Sequence, residues 1–178
     1  TGNVAPERIP QATASMTRPW IATANNDQAG VTFDGNPFDA TTYLGCSFDR
    51  GFRAYWDAGY QIHVHVNGDA GLDRVLGVLE DNLRRTPRAD HRTVLAHFAV
   101  SDPDQVARLR RLGAIVSANP YYVTALADQY GKVGLGPARA DSMVRLGDLT
   151  RAGVSWSLHS DMPMAPIDPL FLMWCAVS

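Results

Sequence analysis

Three residues far apart in the chain, His65, His97 and Asp161, are of the types that hold a divalent metal ion, and each stands at or just beyond the end of an expected strand. Imidazole nitrogens and carboxylate oxygens are the donors that zinc and similar ions take. The first histidine opens His65-Val-Asn-Gly68-Asp69, in which Gly68 lets the chain turn sharply and Asp69 is placed to cap a following helix. Alone, that segment better describes a hydrogen-bonded strand histidine followed by a cap. His97 at the end of the next strand and Asp161 beyond a later one shift the balance towards a metal site. There an ion polarises a carbonyl and activates water, and Asp161 is the candidate catalytic carboxylate that moves the proton. Further residues could line a substrate pocket: His63, one layer deeper on the face of His65; His159, two residues before Asp161; and Asn119, Tyr121 and Tyr122 beyond a third strand. His63 reads first as a hydrogen-bonded group in the core or behind the ligands, and His159 equally as a packing residue.

These side chains need a parallel sheet to bring them together. Tyr60-Gln-Ile-His-Val-His-Val66 alternates and is β-branched, and Leu72, Val75, Leu76, Leu79 and Leu83 then recur at helical spacing. A second unit opens with Thr93-Val-Leu-Ala-His97. Its helix is capped by Ser101-Asp-Pro-Asp104, carries Val106, Leu109 and Leu112, and stops before Gly113. Ala114-Ile-Val-Ser-Ala118 reads as a third strand, 119–138 as a long loop, and 139–152 as a helix ending at Gly153 with Met143, Val144, Leu146 and Leu149 inward. Val154-Ser-Trp-Ser-Leu158 is the fourth strand, and the apolar run from Pro169 reads as a helix cut short. Trp56, Trp156 and Trp174 are expected in the core, and His91, in Arg88-Ala-Asp-His-Arg92, in solvent. Residues 1–40 hold four prolines, Pro6, Pro10, Pro19 and Pro37, and show no sustained period. They read as an irregular loop or insertion, with 41–178 as the folded unit.

Strands alternating with helices imply an α/β protein, either an open doubly wound sheet or part of a (β/α)8 barrel. Functional side chains shared among several strand ends favour a partial TIM barrel. Gly68-Asp-Ala-Gly71 is too sparse for a dinucleotide-binding turn.

Composition excludes other classes. Sixteen Lys plus Arg against 18 Asp plus Glu leave a net charge of -2 in 178 residues, which offers nothing to nucleic acid or an anionic membrane. No apolar run approaches the roughly 18 residues of a membrane span. Cys46 and Cys175 make no disulfide framework, and a reducing, cytoplasmic setting is the milder assumption.

His65-x-x-Gly-Asp, Ala96-His97, Leu158-His-Ser-Asp161-Met-Pro and Pro166-x-x-Pro169-Leu together resemble the amidohydrolase superfamily, in particular the family 3 branch that includes N-substituted formamide deformylases. The resemblance runs from about Gly59 to Ser178. It implies that His65 and His97, on strands five and six, bind a divalent metal such as zinc, and that Asp161, on strand eight, binds metal or the hydrolytic water. It departs from the family pattern at Ala96, where a glutamate is usual. Spacing agrees with this register: His65 to Asp161 leaves room for about three βα units of about 30 residues. His63-Val-His65 is therefore not the strand-one pair, which, with a bridging residue on strand four, belongs upstream of Thr1. The implied activity is metal-dependent hydrolysis of a C–N bond in an amide or formamide-like small molecule. Two rival readings stand beside it. One is a non-catalytic piece, inactive alone, whose open edges drive association into a homo-oligomer; the other is a small-molecule-binding α/β protein.

Overall fold

The computed structural model describes residues 21–25 and 48–178. Among them, five strands form one sheet: β1 (Ile21–Asn25), β2 (Gln61–Val66), β3 (Val94–His97), β4 (Ile115–Ala118) and β5 (Trp156–Leu158). Every pairing is parallel and the strands lie side by side in chain order, without the reversal that marks a doubly wound sheet. Seven helices accompany them: α1 (Phe48–Asp57), α2 (Asp69–Arg85), α3 (Pro103–Leu112), α4 (Tyr121–Lys132), α5 (Pro137–Ala140), α6 (Leu146–Ala152) and α7 (Pro169–Cys175).

The period-2 pattern of β2 sorts its side chains. Ile62, Val64 and Val66 are buried in the helix layer, while Gln61, His63 and His65 lie half-buried on the other face. Leu95 and Val116 continue the first face and meet Leu72, Val75, Leu76 and Leu79 of α2, Val106 and Leu109 of α3, and Leu149 of α6 in one core. Each such side chain contributes about 1.5–3 kcal/mol through burial. Helix α3 is sharply bounded. Asp102 and Gln105 form a reciprocal capping box, Pro103 stands in the first turn, and Gly113 closes the helix at φ 71°.

Five expectations need correction, the first being His91, expected in solvent but buried because the Thr93 amide and the Leu112 carbonyl engage its ring nitrogens. Residues 1–40 are not irregular throughout, since Ile21–Asn25 is a strand in register with β2; the rest of that segment, and 41–47, lie outside the described residues. Ile21 is the one large apolar residue of that strand, so pairing with β2, a non-local interaction, places it in the sheet. The expected loop 119–138 is mostly α4, a helix with little apolar periodicity whose one buried residue is Tyr122. The expected helix 139–152 is broken between α5 and α6, where Val144 takes φ 48° and its N–H donates to Ala99 O instead of to the preceding turn. Finally, Trp56 is in the core, but Trp156 and Trp174 are exposed, the latter by 53%. Cys175 is a buried free thiol. No helix among the described residues is long and apolar enough to cross a membrane.

Candidate metal centre

The half-buried face of the sheet carries a row of residues in register: His65 beside Ala96, Ala96 beside Ser117, Ser117 beside Ser157. At the C-terminal end of this row the chain leaves β3 through two left-handed residues, His97 at φ 74° and Phe98 at φ 55°. Phe98 N–H donates to Val66 O and Val100 N–H to Asn67 O, which binds the turn to the end of β2. This conformation is costly for residues other than glycine and here re-aims the His97 ring. The ring is 4% exposed, and its Nε2 lies 2.7 Å from His65 Nδ1. Its other nitrogen, Nδ1, lies 3.2 Å from His159 Nε2 and 3.9 Å from Asp161 Oδ2. His159 Nδ1 lies 3.0 Å from Ser117 Oγ. Asp161, at φ 52°, keeps a 44%-exposed carboxylate on the loop after β5.

Burial, reinforced by the neighbouring His65, pulls His97 below the ordinary imidazole range, against the opposing pull of Asp161. His159 is lowered chiefly by burial and next by His97. Both rings are held neutral, the form that ligates metal. His63 is also lowered, by burial and by His65. Its Nε2 is buried without a hydrogen-bond partner among the described residues, so the bonding expected of it is absent at that atom.

The sequence candidates thus fall into two groups. His65, His97, His159 and Asp161 gather at the C-terminal end of the sheet. Asn119 is fully buried, with Nδ2 donating to Ser160 O and Oδ1 accepting from Tyr121 N–H, so it ties α4 to the Asp161 loop instead of facing a substrate. Tyr122 is buried edge-on to the His97 ring, and Tyr121 packs on Phe171. Sequence reasoning passed over Ser117. The signal for it was a lone hydroxyl at an alternate position of the strand Ile-Val-Ser-Ala.

Two zinc-bound nitrogens around a tetrahedral ion stand about 3.3 Å apart, so opening the His65–His97 contact by about half an ångström would admit an ion between them. The donor chemistry of this imidazole pair fits a divalent metal. Asp161 approaches the opposite nitrogen of His97, and among the described residues no set of three His, Cys, Asp or Glu side chains stands ready to enclose an ion.

Comparison with known proteins accounts for these elements. The chain is 31% identical over 125 residues to the N-substituted formamide deformylase of Arthrobacter pascens, covering 67% of this chain and 22% of that protein. It is 28% identical over 133 residues to YtcJ of Bacillus subtilis (strain 168), a protein named as an amidohydrolase, covering 72% and 23%. The chain therefore spans about a quarter of the length of these relatives. The fold is similar to that of an uncharacterized metal-dependent hydrolase from Pyrococcus furiosus (TM-score 0.62, 22% identity, 73% of this chain, 26% of that one). A second, from Pyrococcus horikoshii OT3, is similar to the same degree (TM-score 0.61, 23% identity, 72% and 25%). Residues 8–178 match the model of the amidohydrolase family, well beyond the stretch that carries the sequence motifs, and the chain belongs to that family.

Proposed function

We propose that this chain is the C-terminal part of a (β/α)8 barrel hydrolase that uses a divalent metal, zinc by its donor types, to cleave C–N bonds in amide or formamide-like small molecules. In this reading β2 to β5 are strands five to eight. β1, paired with β2, is then strand four and lies inside the chain, where the spacing had suggested otherwise. The observation that carries the reading is the convergence of His65 Nδ1 and His97 Nε2 at 2.7 Å where two adjacent parallel strands end, with the Asp161 carboxylate alongside. Catalytic groups collect at that end of such sheets. Support for the bond type comes from similarity to a protein named a formamide deformylase.

His65, through Nδ1, and His97, through Nε2, would hold the metal, and Asp161, which lies beside the opposite nitrogen of His97, would join them only after its side chain turns towards the pair. When bound, the ion supplies Lewis-acid activation of water and carbonyl. The remaining work falls to this chain's side chains. The exposed Asp161 carboxylate takes the proton of the attacking water and returns it to the departing nitrogen. His97, buried beneath it, stays neutral. Tyr122 covers one edge of the His97 ring and keeps water from that side.

A second reading, in which the 178 residues alone are catalytically silent and associate, is favoured by the exposed Leu170, Met173, Trp174 and Val177 on and just after α7. Both readings meet in one experiment. In the protein that carries this chain, Asp161→Asn lowers turnover of a formamide by about two to four orders of magnitude, the span of lost acid–base catalysis, while metal content is retained. Near-normal turnover at full metal occupancy removes the proton-transfer role. Absence of turnover in the unmutated protein leaves the associating reading.

A further inference from the structure

A neutral imidazole carries one N–H and one lone pair. In the run Ser117 Oγ, His159, His97, His65, joined by contacts of 3.0, 3.2 and 2.7 Å, the protons must therefore all point the same way. Only two arrangements exist. In one, every histidine carries its proton on Nε2: Ser117 O–H donates to His159 Nδ1, His159 to His97 Nδ1, and His97 to His65 Nδ1. No imidazole then has a free lone pair. In the other, every proton is on Nδ1: His65 donates to His97 Nε2, His97 to His159 Nε2, and His159 Nδ1–H to Ser117 Oγ. His65 Nε2 is then an open acceptor, and the lone pair of His97 points towards His65.

One observation selects the second arrangement. The carboxylate of Asp161 lies 3.9 Å from His97 Nδ1 and favours an N–H at that atom. The Ser117 hydroxyl that ends the run accepts as readily as it donates and so accommodates that choice. Its place on β4, in register with Ala96, brings Oγ to His159 across the small Ala96 and Ser157 neighbours.

We infer that Ser117 and His159 are positioning residues, which hold His97 as the Nδ1–H tautomer so that its Nε2 lone pair faces the point where the His65 and His97 rings converge. His159 then serves the site from behind His97 and does not contact substrate. The tautomers follow from the hydrogen-bond run together with the Asp161 carboxylate beside His97 Nδ1; their consequence for metal rests on the function proposed above. A ligating histidine that donates its other N–H to a fixed partner is oriented by it, and loss of such a partner weakens metal binding about 10–100-fold.

The test is two-bond proton–nitrogen NMR of the metal-free 178-residue chain at about pH 8, above the imidazole range. The expected spectrum shows His97 and His159 protonated at Nδ1 with unprotonated Nε2; protonation of either at Nε2 overturns the inference. Ser117→Ala should convert His159, and with it His97, to the Nε2–H form and weaken binding of zinc ion alone by about 10–100-fold, while Ser117→Thr restores both. Unchanged tautomers in Ser117→Ala also overturn it. Should Ser117→Ala fail to fold, the unmutated chain and Ser117→Thr decide through their tautomers. If the tautomers are as expected but neither protein binds zinc, the positioning role stands and the metal-dependent function falls.

Discussion

At the N-terminal end of β3, His91 is buried with both nitrogens engaged by fixed partners; at the C-terminal end, His97 is equally buried but meets only other imidazoles and a distant carboxylate. His91 Nδ1 accepts from Thr93 N–H, so its proton is on Nε2, which donates to Leu112 O at 2.8 Å. Its ring packs against Trp56. Arg88 stacks on the same indole and donates to the carbonyls of Gly59 and Tyr60. The backbone partners of the His91 ring fix its proton in one arrangement. The His97 end has a turn of two left-handed residues and hydrogen bonds that by themselves admit two proton arrangements. One end of the strand is tied to backbone groups, and at the other the His97 lone pair is held only by a neighbouring imidazole.

The largest difference should appear in metal binding. His97→Ala is expected to reduce the affinity of the chain for zinc ion at least about 100-fold, more than loss of a partner behind a ligand would. His91→Ala should leave it within about threefold, the change expected where no ligand or ligand partner is touched. Competition titration against a chelating dye checks both. Equal losses would erase the distinction between the two ends.

Next comes stability, where the order reverses. His91→Ala strands the buried Leu112 carbonyl and Thr93 amide and should cost about 1–3 kcal/mol in urea unfolding. His97→Ala should cost less, because its ring nitrogens contact side chains that can bond to one another or to water. A larger loss at His97 would make it a packing residue first.

The smallest effect is in pH dependence. Burial, opposed in part by the hydrogen bond to Leu112, puts the folded-state pKa of His91 below its ordinary 6.5. A depressed pKa contributes stability that is present above 6.5 and lost as pH falls through that value towards the folded pKa, because the unfolded chain takes up the proton first. His91→Gln should therefore flatten the fall in unfolding free energy between about pH 7 and 5. An unchanged slope would assign the acid sensitivity to other groups.

Sequence alone reached β2 to β5 to within about two residues, because β2 and β4 alternate with period 2, β3 and β5 are short apolar runs between turns, and α2 and α3 carry a clear 3.6 period. It missed β1 and α4, whose own residues have weak patterns and whose conformation depends on non-local partners. It put His91 in solvent because the surrounding run is charged, and nothing local announces the carbonyl of Leu112 that receives its proton.

For the site, residue types and strand ends were enough to single out His65, His97 and Asp161, since donor chemistry is a property of side chains and the strand period puts His63 and His65 on one face. Which nitrogen meets which neighbour was decided only by the tertiary structure. The His97 ring is aimed by a left-handed turn, and the contacts that set its proton, to His65, His159 and Asp161, join elements far apart in the chain. Hydrogen bonds depend on fractions of an ångström and on direction, and those are settled by how the strands register and how the turns after them fold, quantities that no local pattern of residues encodes.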